Sequence, residues 1–251
     1  MSDELSALQS SVARLRRIVD GLEPGQVRQS AYPSEWTVAD VLSHIGSGAV
    51  IMRRSFEDTL AGREPDGSFN QAVWDEWNAK VPEDQAAEAL VADAGMLVAL
   101  DEASEEQRRG FALSMGPMSL DFDGFVGLRL GEHVLHTWDI EVVVDPDATL
   151  PDGAAEIIID RVGVIAGFAG RAQGDEATIS VSTTGPERHL AVVLTPDSVR
   201  LVPSEPGPEP DLALPAEAFI RLVYGRLDPD HAPAGIEGPS LDRLRQVFPG
   251  F

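Results

Sequence analysis

Residues 125–143, FVGLRLGEHVLHTWDIEVV, constrain the chain more than any other stretch. Leu128, Leu135 and Val142 recur at helical spacing, so the segment reads as one amphipathic helix. At about 100° per residue, Arg129, Glu132, His136 and Asp139 fall at i, i+3, i+7 and i+10, one stripe beside that apolar band. Glu132 and His136 leave the same face one turn apart. A helix that sets a carboxylate and an imidazole beside its buried band either satisfies a polar pair inside a core or holds a metal ion. Spacing alone leaves both open: a buried Glu–His ion pair, with Arg129 close by, would fix helix register equally well.

The preceding chain offers helices for this one to pack on. Residues 3–21 carry Leu5, Leu8, Val12, Leu15 and Val19 in helical phase and stop at Gly21. A loop with Tyr32, Pro33 and Trp36 leads to Thr37. With Asp40 three residues on, Thr37 forms a variant capping box that opens a helix over 38–61. Its core face is Val41, Leu42, Ile45, Met52 and Phe56. Residues 63–70 read as a loop and 70–80 as a short helix. A third long helix spans 83–102, with Ala87, Leu90, Val91, Ala94, Leu97 and Val98 expected inside. Residues 114–120 connect it to the central helix. Four long helices predict an up-and-down bundle.

The pattern changes after Asp145-Pro146. One more helix is expected over 154–171, and then the period switches to two. Residues 177–184, 190–195 and 198–202 read as strands, with Thr195-Pro196-Asp197 as the hairpin turn between the last two. Residues 204–210 form a Pro/Gly-rich loop, and helices follow at 215–226 and 240–248. The predicted fold class is α+β: a helical bundle over 1–148 and a smaller α+β domain over 149–251.

Composition removes several function classes. The formal net charge is −23, with 19 basic against 42 acidic residues, so a phosphate backbone or an anionic membrane surface would be repelled. There is no cysteine, which excludes disulfides, zinc–thiolate sites and a cysteine nucleophile. No apolar run reaches the roughly 18–20 residues of a membrane span, and the acidic N-terminus lacks the plan of a secretory signal. The expectation is a cytoplasmic protein, a monomer or small homo-oligomer, acting on a small molecule.

Five histidines are present. His133 is rotated off the stripe and reads as a surface or packing residue. His189 begins a strand and His231 lies in a Pro-rich loop. His44 differs, since it sits mid-helix beside Gly46, Ser47 and Gly48, where a neighbour can approach closely. If the second and fourth long helices face each other, His44, Glu132 and His136 converge. Two imidazoles and a carboxylate suit a catalytic zinc site with a fourth position open, though nickel or iron also accept such a set. From one turn away Asp139 could orient a ligand. Arg129 could neutralise the carboxylate or grip a substrate anion.

At these residues a resemblance appears. Residues 35–45, EWTVADVLSHI, resemble the W-[ST]-x-x-[DE]-[VL]-x-x-H-[IL] segment of DinB-like metal-binding bundles. Arg129-x-x-Glu132-x-x-x-His136-x-x-Asp139 resembles a motif of one branch of them, the mycothiol-dependent maleylpyruvate isomerase family. Residues 216–227, AEAFIRLVYGRL, are similar to a helix ending in Gly-Arg in that family's sterol-carrier-like C-terminal domain. The resemblance implies a metal held by His44, Glu132 and His136, and the ligand set favours zinc. It implies mycothiol as thiol cosubstrate and Arg226 as a substrate contact. It also implies activation of that thiol for addition to an electrophilic small molecule, giving cis–trans isomerisation or thiol S-transfer. Two other readings fit the same residues: a metal-dependent hydrolase using bound water, and a metal-stabilised protein that binds an apolar ligand.

Overall fold

A computed structural model describes residues 2–64, 66–115, 118–207 and 209–250. Pro65 of the expected 63–70 loop, Gly116 and Pro117 of the 114–120 connection and Pro208 of the 204–210 loop lie outside the described residues. The chain divides into two compact units, Met1–Ala148 and Thr149–Phe251.

The first unit contains α1 (Asp3–Asp20), α2 (Val38–Leu60), α3 (Phe69–Asn78), α4 (Pro82–Glu102), α5 (Glu105–Gly110), the short hairpin β1 (Leu113–Met115) and β2 (Met118–Leu120), and α6 (Phe122–Glu141). Side-chain caps fix the starts of α1, α2 and α6. The Ser2 hydroxyl accepts from Leu5 N–H, and the Asp121 carboxylate accepts from Gly124 N–H at 2.8 Å. At α2 the capping box closes in both directions: Thr37 Oγ1 accepts from Asp40 N–H at 3.1 Å, and Asp40 Oδ2 accepts from Thr37 N–H at 2.8 Å.

The long helices α1, α2, α4 and α6 form the four-helix bundle. α1 packs along α6 and α2 along α4, while α2 also meets α6 and α1 meets α4. The helices bearing His44 and Glu132 are therefore neighbours. Close approach of α2 and α4 depends on Gly46, where a Cβ would lie 2.2 Å from the Trp77 ring and 2.9 Å from the Ala89 backbone.

Two elements differ from the sequence reading in this unit. The hairpin lies where residues 114–120 read as plain connection, and α5 precedes it. The face of α4 is also rotated: Gln85, Ala86, Ala89, Leu90, Asp93, Met96 and Leu100 are buried, whereas Val91 and Val98 are 71% and 53% exposed. Alanines and valines run round the whole of α4, so its apolar period has no sharp phase. The face that packs is chosen by its neighbours and includes two polar residues.

The second unit holds α7 (Asp152–Ile158), α8 (Val162–Ala169), β3 (Ala177–Thr184), β4 (Arg188–Leu194), β5 (Val199–Pro203), β6 (Leu212–Pro215), α9 (Ala216–Val223) and α10 (Pro239–Val247). The single helix expected at 154–171 is two, because at Arg161 the N–H turns to the carbonyl of Ile158, an i→i+3 bond that interrupts the ladder. The sheet order is β5-β4-β3-β6, antiparallel except for β6, which runs parallel to β3. The hairpin turn closes as expected, with Thr195 N–H donating to Ser198 O at 2.9 Å. β6 is a fourth strand whose four residues carry too little alternation to mark it in the sequence. Its register is held by Asp211, whose carboxylate accepts from Ser180 N–H at 2.8 Å and from Ser180 Oγ–H at 2.6 Å. The fold class is α+β. Among the described residues no helix is long and apolar enough to cross a membrane.

Candidate metal centre

α6 is buried on almost every side. Between Phe125 and Ile140 only Leu128, Glu132 and His136 are not fully buried, and they follow one another at i, i+4 and i+8. That line is where the helix opens to solvent. His44 of α2 faces it. The donor atoms of His44, Glu132 and His136 all lie within 4.8 Å of one another. Glu132 Oε2 stands 3.7 Å from His44 Nε2 and 3.7 Å from His136 Nε2, and the two imidazole rings meet edge-on at 4.5 Å.

This donor set fits a divalent ion. Tetrahedral ligands about 2.0–2.1 Å from zinc stand about 3.4 Å from one another, so the two carboxylate–imidazole separations need close only by tenths of an ångström. Asp139, fully buried, faces His136 Nδ1 at 2.9 Å. With Nδ1–H donating to that carboxylate, Nε2 keeps its lone pair for the cluster. Burial works to raise the Glu132 carboxyl, but the His136 and His44 imidazoles facing it outweigh that effect and hold the group well below the usual carboxylate range. Glu132 is therefore an anion at neutral pH, in the form that ligates a cation.

The loop before α2 adds an aromatic wall. Ala31 N–H donates to Trp36 O, Trp36 N–H to Pro33 O and Val38 N–H to Gln29 O, each at 2.8–2.9 Å, while Tyr32 N–H reaches Asp139 O at 3.1 Å. So held, the Trp36 ring stacks beside His136 at 6.2 Å and tilts toward His44 at 5.5 Å, and it stays 37% exposed.

Arg129 shares the stripe but not the cluster. It is buried, and its Nη2 donates to Asp93 Oδ1 at 2.7 Å and to Ile45 O at 2.9 Å. The expected pairing with Glu132 is replaced by one with α4, because Asp93 lies on the inward face of that helix. His133, read as a surface or packing residue, is fully buried: Nε2 meets Asp93 Oδ2 at 3.0 Å, and Nδ1 meets Ser11 Oγ at 2.8 Å and Thr137 Oγ1 at 3.3 Å. Burial, foremost, keeps the His133 imidazole below its ordinary range against the pull of Asp93. Asp93 is itself pushed up by burial, yet His133 and Arg129 bring it below the usual carboxylate range. Asp93, Ser11 and Thr137 carried no signal in the sequence.

Arg226 belongs to the second unit, where it is buried and its Nη1 donates to Tyr224 O at 2.8 Å. His231 and His189 have carboxylate partners of their own, Asp228 at 2.8 Å and Glu187 at 3.2 Å.

Comparison with known structures finds two crystal structures of mycothiol-dependent maleylpyruvate isomerase, one of them a point mutant. They are 14% and 13% identical to this chain, each with a TM-score of 0.67, and the match covers 96% of this chain and 96% of theirs. YfiT from Bacillus subtilis, which has an unusual four-helix bundle topology, overlaps more loosely: TM-score 0.42 and 14% identity, over 56% of this chain and 85% of its own. Among curated proteins, none matches the sequence significantly. The family described as mycothiol maleylpyruvate isomerase N-terminal domain matches residues 8–141, more than half of the chain and nearly all of the unit that carries the cluster, and the chain belongs to that family.

Proposed function

We propose that the protein is a metal-dependent enzyme that uses mycothiol to isomerise a maleylpyruvate-type substrate, an electrophilic acid with a cis double bond. The observation that carries the reading is the convergence of His44, Glu132 and His136 on the one open line of an otherwise buried helix, inside the region that matches the family.

His44 and His136 would hold the ion through Nε2 and Glu132 through its carboxylate, leaving a fourth position open. When bound, such an ion lowers the pKa of a coordinating thiol enough for thiolate chemistry at neutral pH. The chain has no cysteine, so the sulfur must come from a cosubstrate. Asp139 keeps His136 in one tautomer and orientation. Trp36 lies beside both imidazoles and offers an apolar wall to whatever approaches them. The isomerisation balances without other reagents: sulfur adds to one carbon of the double bond, the resulting single bond rotates, and sulfur leaves as the trans double bond forms. A reducing cytoplasm would keep the thiol available.

The test uses purified protein loaded with zinc, maleylpyruvate and mycothiol, followed by ultraviolet absorbance and by titration of free thiol. The reading expects trans product only when metal and thiol are both present, with free thiol unchanged after many turnovers. Thiol lost in step with substrate would identify S-transfer instead. Turnover without any thiol would overturn the reading, and cleaved products formed without it would favour hydrolysis.

A further inference from the structure

We propose that Asp93, a buried carboxylate on α4 that offers no donor to the cluster, is the positioning residue that sets the two donor-bearing helices in register; the inference rests on the metal reading above. Its two oxygens have different partners on one helix. Oδ1 accepts from Arg129 and Oδ2 from His133, at 2.7 and 3.0 Å. Those partners bracket Glu132, one of them three residues before it and the other directly after. The same Arg129 nitrogen also donates to the carbonyl of Ile45, the residue that follows His44, at 2.9 Å. One carboxylate thus holds α6 directly and α2 through Arg129, at the level of the donors. α2 is shaped for this: a Cβ at Gly48, one turn after His44, would lie 3.0 Å from Arg129 Nη1.

Stability alone does not explain the arrangement. Buried ion pairs can usually be replaced by apolar residues of like volume with no loss, and fixing register is their best-attested use. Arg129 Nε is buried with no hydrogen-bond partner, a cost that an apolar core would not carry. Register matters acutely here. Side-chain atoms lie about 5–6 Å from a helix axis, so a rotation of about 10° moves a donor by ~1 Å, whereas metal–donor distances tolerate only about 0.2 Å.

The experiment measures zinc affinity by competition with a chromophoric chelator, at a temperature where every variant is fully folded by circular dichroism. The variants are Asp93→Asn, the double change Asp93→Asn with Arg129→Met, which removes the charge pair together, and Phe56→Leu as a control. Phe56 packs on Phe111, Phe122 and Phe125, about three turns of α2 beyond His44. The expected result is a loss of roughly 10–100-fold in zinc affinity for both Asp93 variants, as for other groups that orient ligands. Phe56→Leu should lower the melting temperature and leave affinity unchanged. If Asp93→Asn does not fold, the double variant decides. Asp93 variants that bind zinc within twofold of wild type would overturn the positioning role while leaving the metal reading intact. Wild-type protein that binds no zinc would overturn both.

Discussion

Glu132→Gln separates a metal ligand from a structural ion pair, and the geometry fixes what each predicts. The change keeps side-chain volume and removes one charge. A fully buried carboxylate taken from beside its partner costs about 3–5 kcal/mol. Glu132, however, has a side chain 38% exposed, and the imidazole nitrogens are 3.7 Å away, so the range for screened pairs applies, about 0–1 kcal/mol. For a chain of this size that is a shift of at most about 2–4 °C. Metal-free variant and metal-free wild type should therefore melt almost together, and the comparison of apo proteins does not discriminate.

The discrimination lies in the response to zinc. At a free zinc concentration 100 times the dissociation constant, wild type gains about 2.7 kcal/mol, or roughly 5–11 °C. Loss of a direct ligand should weaken binding at least as much as loss of an orienting group, about 100-fold. At the same zinc concentration the variant then gains only about 0.4 kcal/mol, or ~1–2 °C. The assay is differential scanning calorimetry of chelator-treated protein with and without buffered zinc. Equal zinc shifts in the two proteins would remove Glu132 from the ligand set. No zinc shift in either protein would leave Glu132 as one partner of a structural ion pair instead.

Asp139→Asn should lower zinc affinity by roughly 10–100-fold without unfolding the bundle, because the His136 ring loses its anionic partner; equilibrium competition with a chelator measures it. Gly46→Ala should destabilise by about 1–3 kcal/mol despite a gain of up to about 1 kcal/mol in helix propensity, since its Cβ would meet Trp77 and the Ala89 backbone; a raised melting temperature would refute the close approach of α2 and α4. The Asp58 carboxyl is held below its ordinary value of 3.8, chiefly by its hydrogen bond from Arg54 and also by Arg63, against the effect of burial. Its contribution is thus present above that value and lost as pH falls through the depressed one, so Asp58→Asn should be less stable than wild type at pH 7, and the gap should narrow below about pH 3.8 in urea melts.

The two polar systems in the bundle were unequally legible, for a physical reason. α6 advertises its cluster because a carboxylate and an imidazole one turn apart stand out against an apolar helix, and a third candidate, His44, sits among small residues that invite a neighbour. Two periodicities and one spacing therefore nearly suffice to place three side chains together. The buried network that includes Asp93 offers no such signal. Its partners Arg129 and His133 are 36 and 40 residues away, so only tertiary packing makes the aspartate a partner at all. α4 also misleads on its own, because Val91 and Val98 outrank Asp93 on any apolar count yet face solvent. What fixes the phase of α4 is the shape presented to it. Gly46 lets it close on α2, Gln85 donates to the carbonyl of Trp77 at 3.1 Å, and Arg129 and His133 supply donors for a carboxylate at one height. A helix whose apolar residues are spread evenly is oriented by its few polar ones, each of which must find a partner when buried. By that logic the face of α4 follows from where α6 places a guanidinium and an imidazole, and the phase of the third bundle helix is set by the same residues that flank Glu132.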